Sequence, residues 1–157
     1  MLKFLFLLAF IVHNLEEGLW LPSWSLHAKR FHPVVTFREF HFALFFITSL
    51  GILMTFISYM FGRDLAVIEG IYFGFVAMMV LNVVLIHIPA CIVLRRYAPG
   101  TLTGVLLVLP IGGWLLFMYI KGMLPVPYMI GGTVGFTVVT VALLKPLFWA
   151  GRKLIKE

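Results

Sequence analysis

The sequence predicts an all-α fold, a polytopic membrane bundle of about five transmembrane helices, and three observations predict it. Of 157 residues, 62% are hydrophobic and only 11% charged, against about 25% charged in a soluble domain, and mean hydropathy is +1.09. The apolar residues gather into runs near the ~20 residues that cross a bilayer. The connections between them are short and hold most of the Lys and Arg. This length accommodates five spans and no separate soluble domain, so residues 1–157 read as one transmembrane domain embedded in the lipid bilayer.

The first twelve residues, MLKFLFLLAFIV, have the charged start and apolar core of a secretory signal. His13-Asn14-Leu15-Glu16-Glu17 follows where a cleavage site would need small residues, so residues 2–21 read as a retained first helix. Residues 40–61 contain no Lys, Arg, Asp or Glu and one histidine, His41, and form the second span. Residues 65–94 carry Glu69, Asn82 and His87, with Pro89 near the end, and predict a third span that is tilted or kinked. Residues 101–120 and 126–144 hold no charge and form the fourth and fifth.

The net charge of +6 does not imply nucleic acid, because the basic residues are scattered in small groups beside the spans and read as membrane anchors. Lys3, Arg63 and Lys121 fall on one side. Lys29, Arg30, Arg38, Arg95, Arg96, Lys145, Arg152, Lys153 and Lys156 fall on the other. This asymmetry predicts an integral membrane protein with its N-terminus outside and its C-terminus cytoplasmic. The lone Cys91 permits no internal disulfide and reads as a packing residue.

Alternation of the spans brings distant residues to one depth. His13, Glu16 and Glu17 lie late in a helix running toward the cytoplasm, His41 early in the returning helix, and His87 about two turns before the third helix ends on the same side. On the first helix, positions 13, 16 and 17 fall within about 100° of one another, and His13 and Glu17 are one turn, about 6 Å, apart. An acidic residue near a helix centre costs about 2.5 to 3.5 kcal/mol on an insertion scale, so the pair calls for a cation, a shared proton or a histidinium. The bland reading is that Glu16 and Glu17 mark the helix end, with Leu19, Trp20, Leu21 and Trp24 as an interfacial belt. His41 reads either as interfacial or as a further ligand. His27 and His32 read as solvated. Asn82 lies about 140° from His87 on an ideal helix, so both reach one site only if Pro89 or a local bulge turns the helix. Glu69 shares the face of His87 but lies about 27 Å away, which points to a surface role or to Arg63 as its partner.

The order of His13-Asn14-Leu15-Glu16-Glu17, an embedded His87 preceded by Asn82, and Tyr97-Ala98-Pro99-Gly100 resembles the HXXEE-domain family of small membrane proteins. The resemblance implies a multi-helix membrane domain in which His13, Glu16, Glu17 and His87 match the signature positions, and it supplies no reaction. Within the YAPG segment, Pro99 restricts Ala98 to extended conformations and Pro-Gly suits the centre of a type II turn. Spans three and four then form a tight hairpin, with Thr101 or Thr103 capping the fourth helix, whose positive N-terminal end points toward the acidic pair. Small-residue spacings at Gly70/Gly74 and Gly131/Gly135 allow close helix approach, within the domain or across a homodimer.

These residues support three functions. One is a membrane-embedded enzyme with a divalent metal, Zn or Fe, held by His13, Glu17 and His87, with His41 as a fourth ligand or supporting group and Glu16 as general base. A second is metal-free acid–base isomerisation or cyclisation by the Glu16/Glu17 pair, helped by His13 or His87. The third is a transporter or ion-binding protein without chemistry. The enzymatic readings put Glu16, Glu17, His13 and His87 in catalytic roles, and Asn82, Tyr97 and Trp20 at a lipid-like or other hydrophobic small-molecule substrate arriving from the membrane. Residues 23–38 read either as an interfacial lid or as a plain loop.

Overall fold

Long apolar stretches in a bilayer satisfy their backbone polar groups within a single segment only as helices. A computed structural model, which describes residues 1–29, 33–62, 64–122 and 124–154, contains five helices long and apolar enough to cross a membrane. They are α1 (Leu2–Ser25), α2 (Phe37–Phe61), α3 (Ala66–Leu94), α4 (Thr101–Lys121) and α5 (Val126–Leu154). The shortest has 21 residues, about 32 Å at 1.5 Å per residue, against a hydrocarbon core of about 30 Å. Helices α1 and α5 outrun the segments expected from hydropathy, ending at Ser25 and Leu154 with Pro22 and Pro146 inside them.

Among the described residues of the α1–α2 connection there is no interfacial helix; Phe31 and His32 lie outside the described set. The Ser25 hydroxyl accepts from the Val35 N–H at 3.3 Å, and Trp24 packs with Leu21, Val35, Phe40 and Phe148. Helix α2 opens with a capping box that Thr36-Phe37-Arg38-Glu39 encodes. The Thr36 hydroxyl accepts from the Glu39 N–H at 3.3 Å, and the Glu39 carboxylate accepts from the Thr36 N–H at 2.8 Å. The other Glu39 oxygen accepts from Arg152, which ties the start of α2 to the end of α5.

Helices α3 and α4 each contain one turn of π-helix, Val83–His87 and Gly104–Val108. Each π turn stands two residues before a proline, Pro89 or Pro110. Proline lacks the N–H of an α-helical bond and its ring crowds the carbonyl four residues back, so widening the preceding turn keeps the helix continuous. The two π turns touch, with Gly104 lying against Val83.

The core joins α1, α3 and α4 through Phe6, Phe10, Phe75, Val76, Val83 and Val108. Phe75 meets Phe6 and Phe10 edge to face, at ring-centroid distances of 5.5 and 5.0 Å. Helix α3 packs along α5 with backbones in direct approach. A Cβ at Gly74 would strike the Gly132 carbonyl, and a Cβ at Gly132 would strike that of Gly70. Gly131 and Gly135, by contrast, face open space, so the contact within the bundle uses Gly132, which the spacing reading did not single out.

The end of the bundle remote from Glu16 is fastened by Glu69, whose described partners come from three other helices; Arg63, the partner expected from sequence, lies outside the described residues. Lys3 Nζ donates to Glu69 Oε1 at 2.5 Å and to the Ser58 hydroxyl at 2.7 Å, and the Tyr119 hydroxyl donates to Glu69 Oε2. One carboxylate thereby links α1, α2, α3 and α4.

Overpacking typically costs about 1–3 kcal/mol, so Gly132→Ala and Gly74→Ala should each lower the midpoint of denaturant unfolding of purified protein. Gly131→Ala and Gly135→Ala should leave it unchanged or raise it slightly, because alanine is the better helix former by about 1 kcal/mol.

Candidate functional site

Helix α1 buries His13, Asn14 and Glu16 on one side of its C-terminal half. Glu16 faces the α3–α4 turn, where Pro99-Gly100 occupies the centre of a type II turn. Gly100 has φ 86°, ψ −10°, and the Thr101 N–H donates to the Ala98 carbonyl at 3.1 Å. The N-cap position is Gly100, and no local side chain caps α4. The cap expected from Thr101 or Thr103 comes instead from Glu16, across the bundle. Glu16 Oε1 accepts from the Gly100 N–H at 2.7 Å and from the Tyr97 hydroxyl. Oε2 accepts from the Thr103 N–H at 2.8 Å and the Thr103 hydroxyl at 2.5 Å. An anion on otherwise unpaired helix N–H groups is held by both hydrogen bonding and the helix dipole. The Tyr97 hydroxyl is pushed up to about 12, by burial first and then by the carboxylate it donates to, which keeps it a donor.

This arrangement favours a proton on Nδ1 of His13. The Thr103 hydroxyl lies 2.5 Å from Glu16 Oε2 and 3.3 Å from His13 Nδ1. Its hydrogen goes to the shorter, charged contact, leaving its oxygen to accept from His13 Nδ1–H. Nε2 then carries the lone pair. That atom is fully buried and has no hydrogen-bond partner.

The π turn in α3 supplies the second imidazole. Residues five apart in a regular α-helix diverge by about 140°, whereas the i→i+5 register of a π turn brings them onto one side. Asn82 and His87 accordingly meet, with Asn82 Nδ2 2.9 Å from His87 Nε2. Glu17 Oε1 lies 3.3 Å from His87 Nε2 and 3.9 Å from His13 Nε2. One ligand atom from each of His13, Glu17 and His87 falls within 4.8 Å of the other two. The imidazoles stand edge to face with centroids 5.1 Å apart, and Gly100 fits against both. A Cβ there would lie 2.7 Å from His87 Cε1 and 2.8 Å from His13 Cε1, so position 100 requires glycine for space as well as for its positive φ.

Beside these groups lies a cavity of 360 Å³ between α1, α2, α3 and α5. Glu17, Asn82 and His87 reach it, and its remaining lining is mostly apolar, including Phe10, Leu44, Met78 and Phe148. Leu85, Ile86 and Val141 line it and are themselves exposed, so it opens sideways between α3 and α5.

The other residues marked in the sequence fall elsewhere. His41 has Nδ1 2.8 Å from the Phe37 carbonyl and stacks on the Phe37 ring at 3.8 Å, outside the three-residue group. Trp20 is half exposed in a surface groove with Trp24, Tyr97, Pro99 and Leu102. His27 is exposed near the Ser23 carbonyl. Cys91 Sγ accepts from the Ala98 N–H at 3.1 Å, which adds a turn contact to packing. Asn14, which donates to the Thr48 hydroxyl at 2.8 Å and lines the cavity, was missed. Its position beside His13 was the available signal.

Residues 4–115 match the profile of the family described as "Protein of unknown function with HXXEE motif". The chain belongs to the HXXEE family. It is 38% identical over 150 residues, 94% of each chain, to "Uncharacterized protein YrkK" of Bacillus subtilis (strain 168). No solved structure matches. The HXXEE match spans the helices that carry His13, Glu16, Glu17, His87 and the turn, and ends before α5 begins at Val126.

Replacing Glu16 by glutamine sets an NH₂ against donors that already point inward, two of them backbone N–H groups. Glu16→Gln should therefore lower unfolding stability by about 1–3 kcal/mol, while Glu17→Gln should change it by less than half as much, measured side by side on purified protein.

Proposed function

We propose that the protein is a membrane-embedded metalloenzyme acting on a hydrophobic small molecule, with His13, Glu17 and His87 as the ligands of a divalent Zn or Fe ion. The observation that carries this reading is the buried His13 Nε2, which has no hydrogen-bond partner and faces a carboxylate and a second imidazole. Leaving such an atom unsatisfied costs about 1–3 kcal/mol, and a cation removes the penalty. Tetrahedral ligands at 2.0–2.2 Å stand about 3.3–3.6 Å apart. The separations of 3.3 and 3.9 Å are near that range, and all three ligand atoms lie within 4.8 Å of one another.

Two imidazoles and one carboxylate with a further position free match a catalytic arrangement rather than a structural one. The ion supplies a polarising centre for water or a substrate oxygen. The protein does the rest with its own groups. Glu16, through Thr103, holds the proton on His13 Nδ1 and aims Nε2 inward, which gives Glu16 a positioning role in place of the general-base role read from sequence, since both its oxygens are occupied by donors. Asn82 Nδ2 stands at the same His87 Nε2, so an ion bound there takes the place of that contact. The apolar cavity admits a hydrophobic molecule from the bilayer and limits water.

A second reading draws on the 3.3 Å contact of His87 Nε2 with Glu17. This is acid–base chemistry without metal, carried by a Glu17–His87 pair rather than by two carboxylates sharing a proton.

Metal analysis of protein purified without chelators decides between them. Wild type should carry about one equivalent of Zn or Fe, and His13→Ala, Glu17→Ala and His87→Ala less than a tenth. Glu16→Gln should weaken affinity by about 10–100-fold, as loss of an orienting partner does. Folded wild type without stoichiometric metal would overturn the metal reading and leave the Glu17–His87 pair.

A further inference from the structure

Threonine inside a helix ordinarily turns its hydroxyl back to the carbonyl four residues earlier. Thr55 does so to Gly51 and Thr133 to Met129, both at 2.8 Å. Thr140, two turns beyond Thr133 on α5, does not. Its hydroxyl is buried and has no hydrogen-bond partner, and the residue lines the same cavity as Glu17, Asn82 and His87. A buried hydroxyl without a partner is destabilising, and in a cavity beside a candidate site it marks where a polar atom of a bound molecule completes the bond.

The cavity limits the size of that molecule. At roughly 30 Å³ per water-sized group, 360 Å³ holds on the order of a dozen heavy atoms, which suits one hydrocarbon chain. The side opening at Leu85, Ile86 and Val141 gives access from lipid.

We propose that this cavity binds a single-chain amphiphile of about a dozen carbons bearing a hydroxyl or carbonyl, and that Thr140 fixes its position by hydrogen bonding to that oxygen. The inference rests on the reading that the His/Glu site acts on a hydrophobic molecule. It divides the labour among the helices. Those within the HXXEE match carry the chemical groups, and α5, beyond the match, supplies the residue that selects the substrate.

The test uses 1-dodecanol as the probe, tritiated, in a scintillation-proximity assay on the full chain in nanodiscs, with unlabelled dodecanol and dodecane as competitors. Wild type should bind saturably and prefer dodecanol over dodecane by about three- to tenfold, the weight of one hydrogen bond. Thr140→Val, of nearly the same shape, should lose the preference and still bind dodecane, and Thr140→Ser should keep it. Leu144→Trp, which fills the cavity, should abolish binding of both. Absence of saturable binding to folded wild type, or an unchanged preference in Thr140→Val, would overturn the proposal. Metal content measured on the same samples separates the two readings, because metal without dodecanol binding removes only the cavity proposal and binding without metal removes only the metal reading.

Discussion

The structure of the site depends on one constraint: a carboxylate inside an apolar bundle must be met by donors. Glu16 meets it with four, all from the turn and first residues of α4. Those N–H groups equally need an acceptor, because a helix start buried in apolar surroundings has no water to bond. One contact thus satisfies the C-terminal half of α1 and the N-terminus of α4 together. It also seats Gly100 against both imidazoles, and through Thr103 it sets which nitrogen of His13 holds the proton. Glu17, one residue on, points to a different neighbourhood and is left to face His13 and His87. Two adjacent glutamates that look alike in sequence acquire different roles because consecutive residues of a helix diverge by about 100°.

Much of this was legible in the sequence. Hydropathy located five helices, the type II turn followed from Pro99-Gly100, and alternation of spans brought His87 to the depth of His13 and Glu17. Helical geometry also stated the condition under which Asn82 and His87 could meet, and the π turn Val83–His87 is the bulge that meets it. What was not legible has physical causes. The cap on α4 comes from another helix, and local sequence carries no sign of a partner 84 residues away. Lys3 as partner of Glu69 likewise requires knowing which helices adjoin. Thr140 sits in an apolar run where its neighbours Thr133 and Thr137 look the same, and only its burial against the cavity, with the hydroxyl left unbonded, distinguishes it.

The two polar clusters divide the bundle into a fastening end and an end that holds the candidate site. Glu69 is neutralised at contact by Lys3 and bonded by Ser58 and Tyr119, an arrangement whose groups are occupied by one another. At the other end, His13 Nε2 and the Thr140 hydroxyl are the buried side-chain atoms left without partners among the described residues. Polar atoms are held in this condition inside an apolar bundle at a cost, and both proposals above rest on these two atoms.

By this geometry Glu16 and Thr103 hold His13 as the Nδ1–H tautomer, with the Nε2 lone pair turned toward Glu17 and His87. Nitrogen-15 chemical shifts of imidazole-labelled protein, with His13 assigned by difference from His13→Ala and metal removed by chelation, test it directly. Wild type should show a protonated Nδ1 and an unprotonated Nε2, and Thr103→Val mixed tautomers. A proton on Nε2 in the wild-type protein would contradict it.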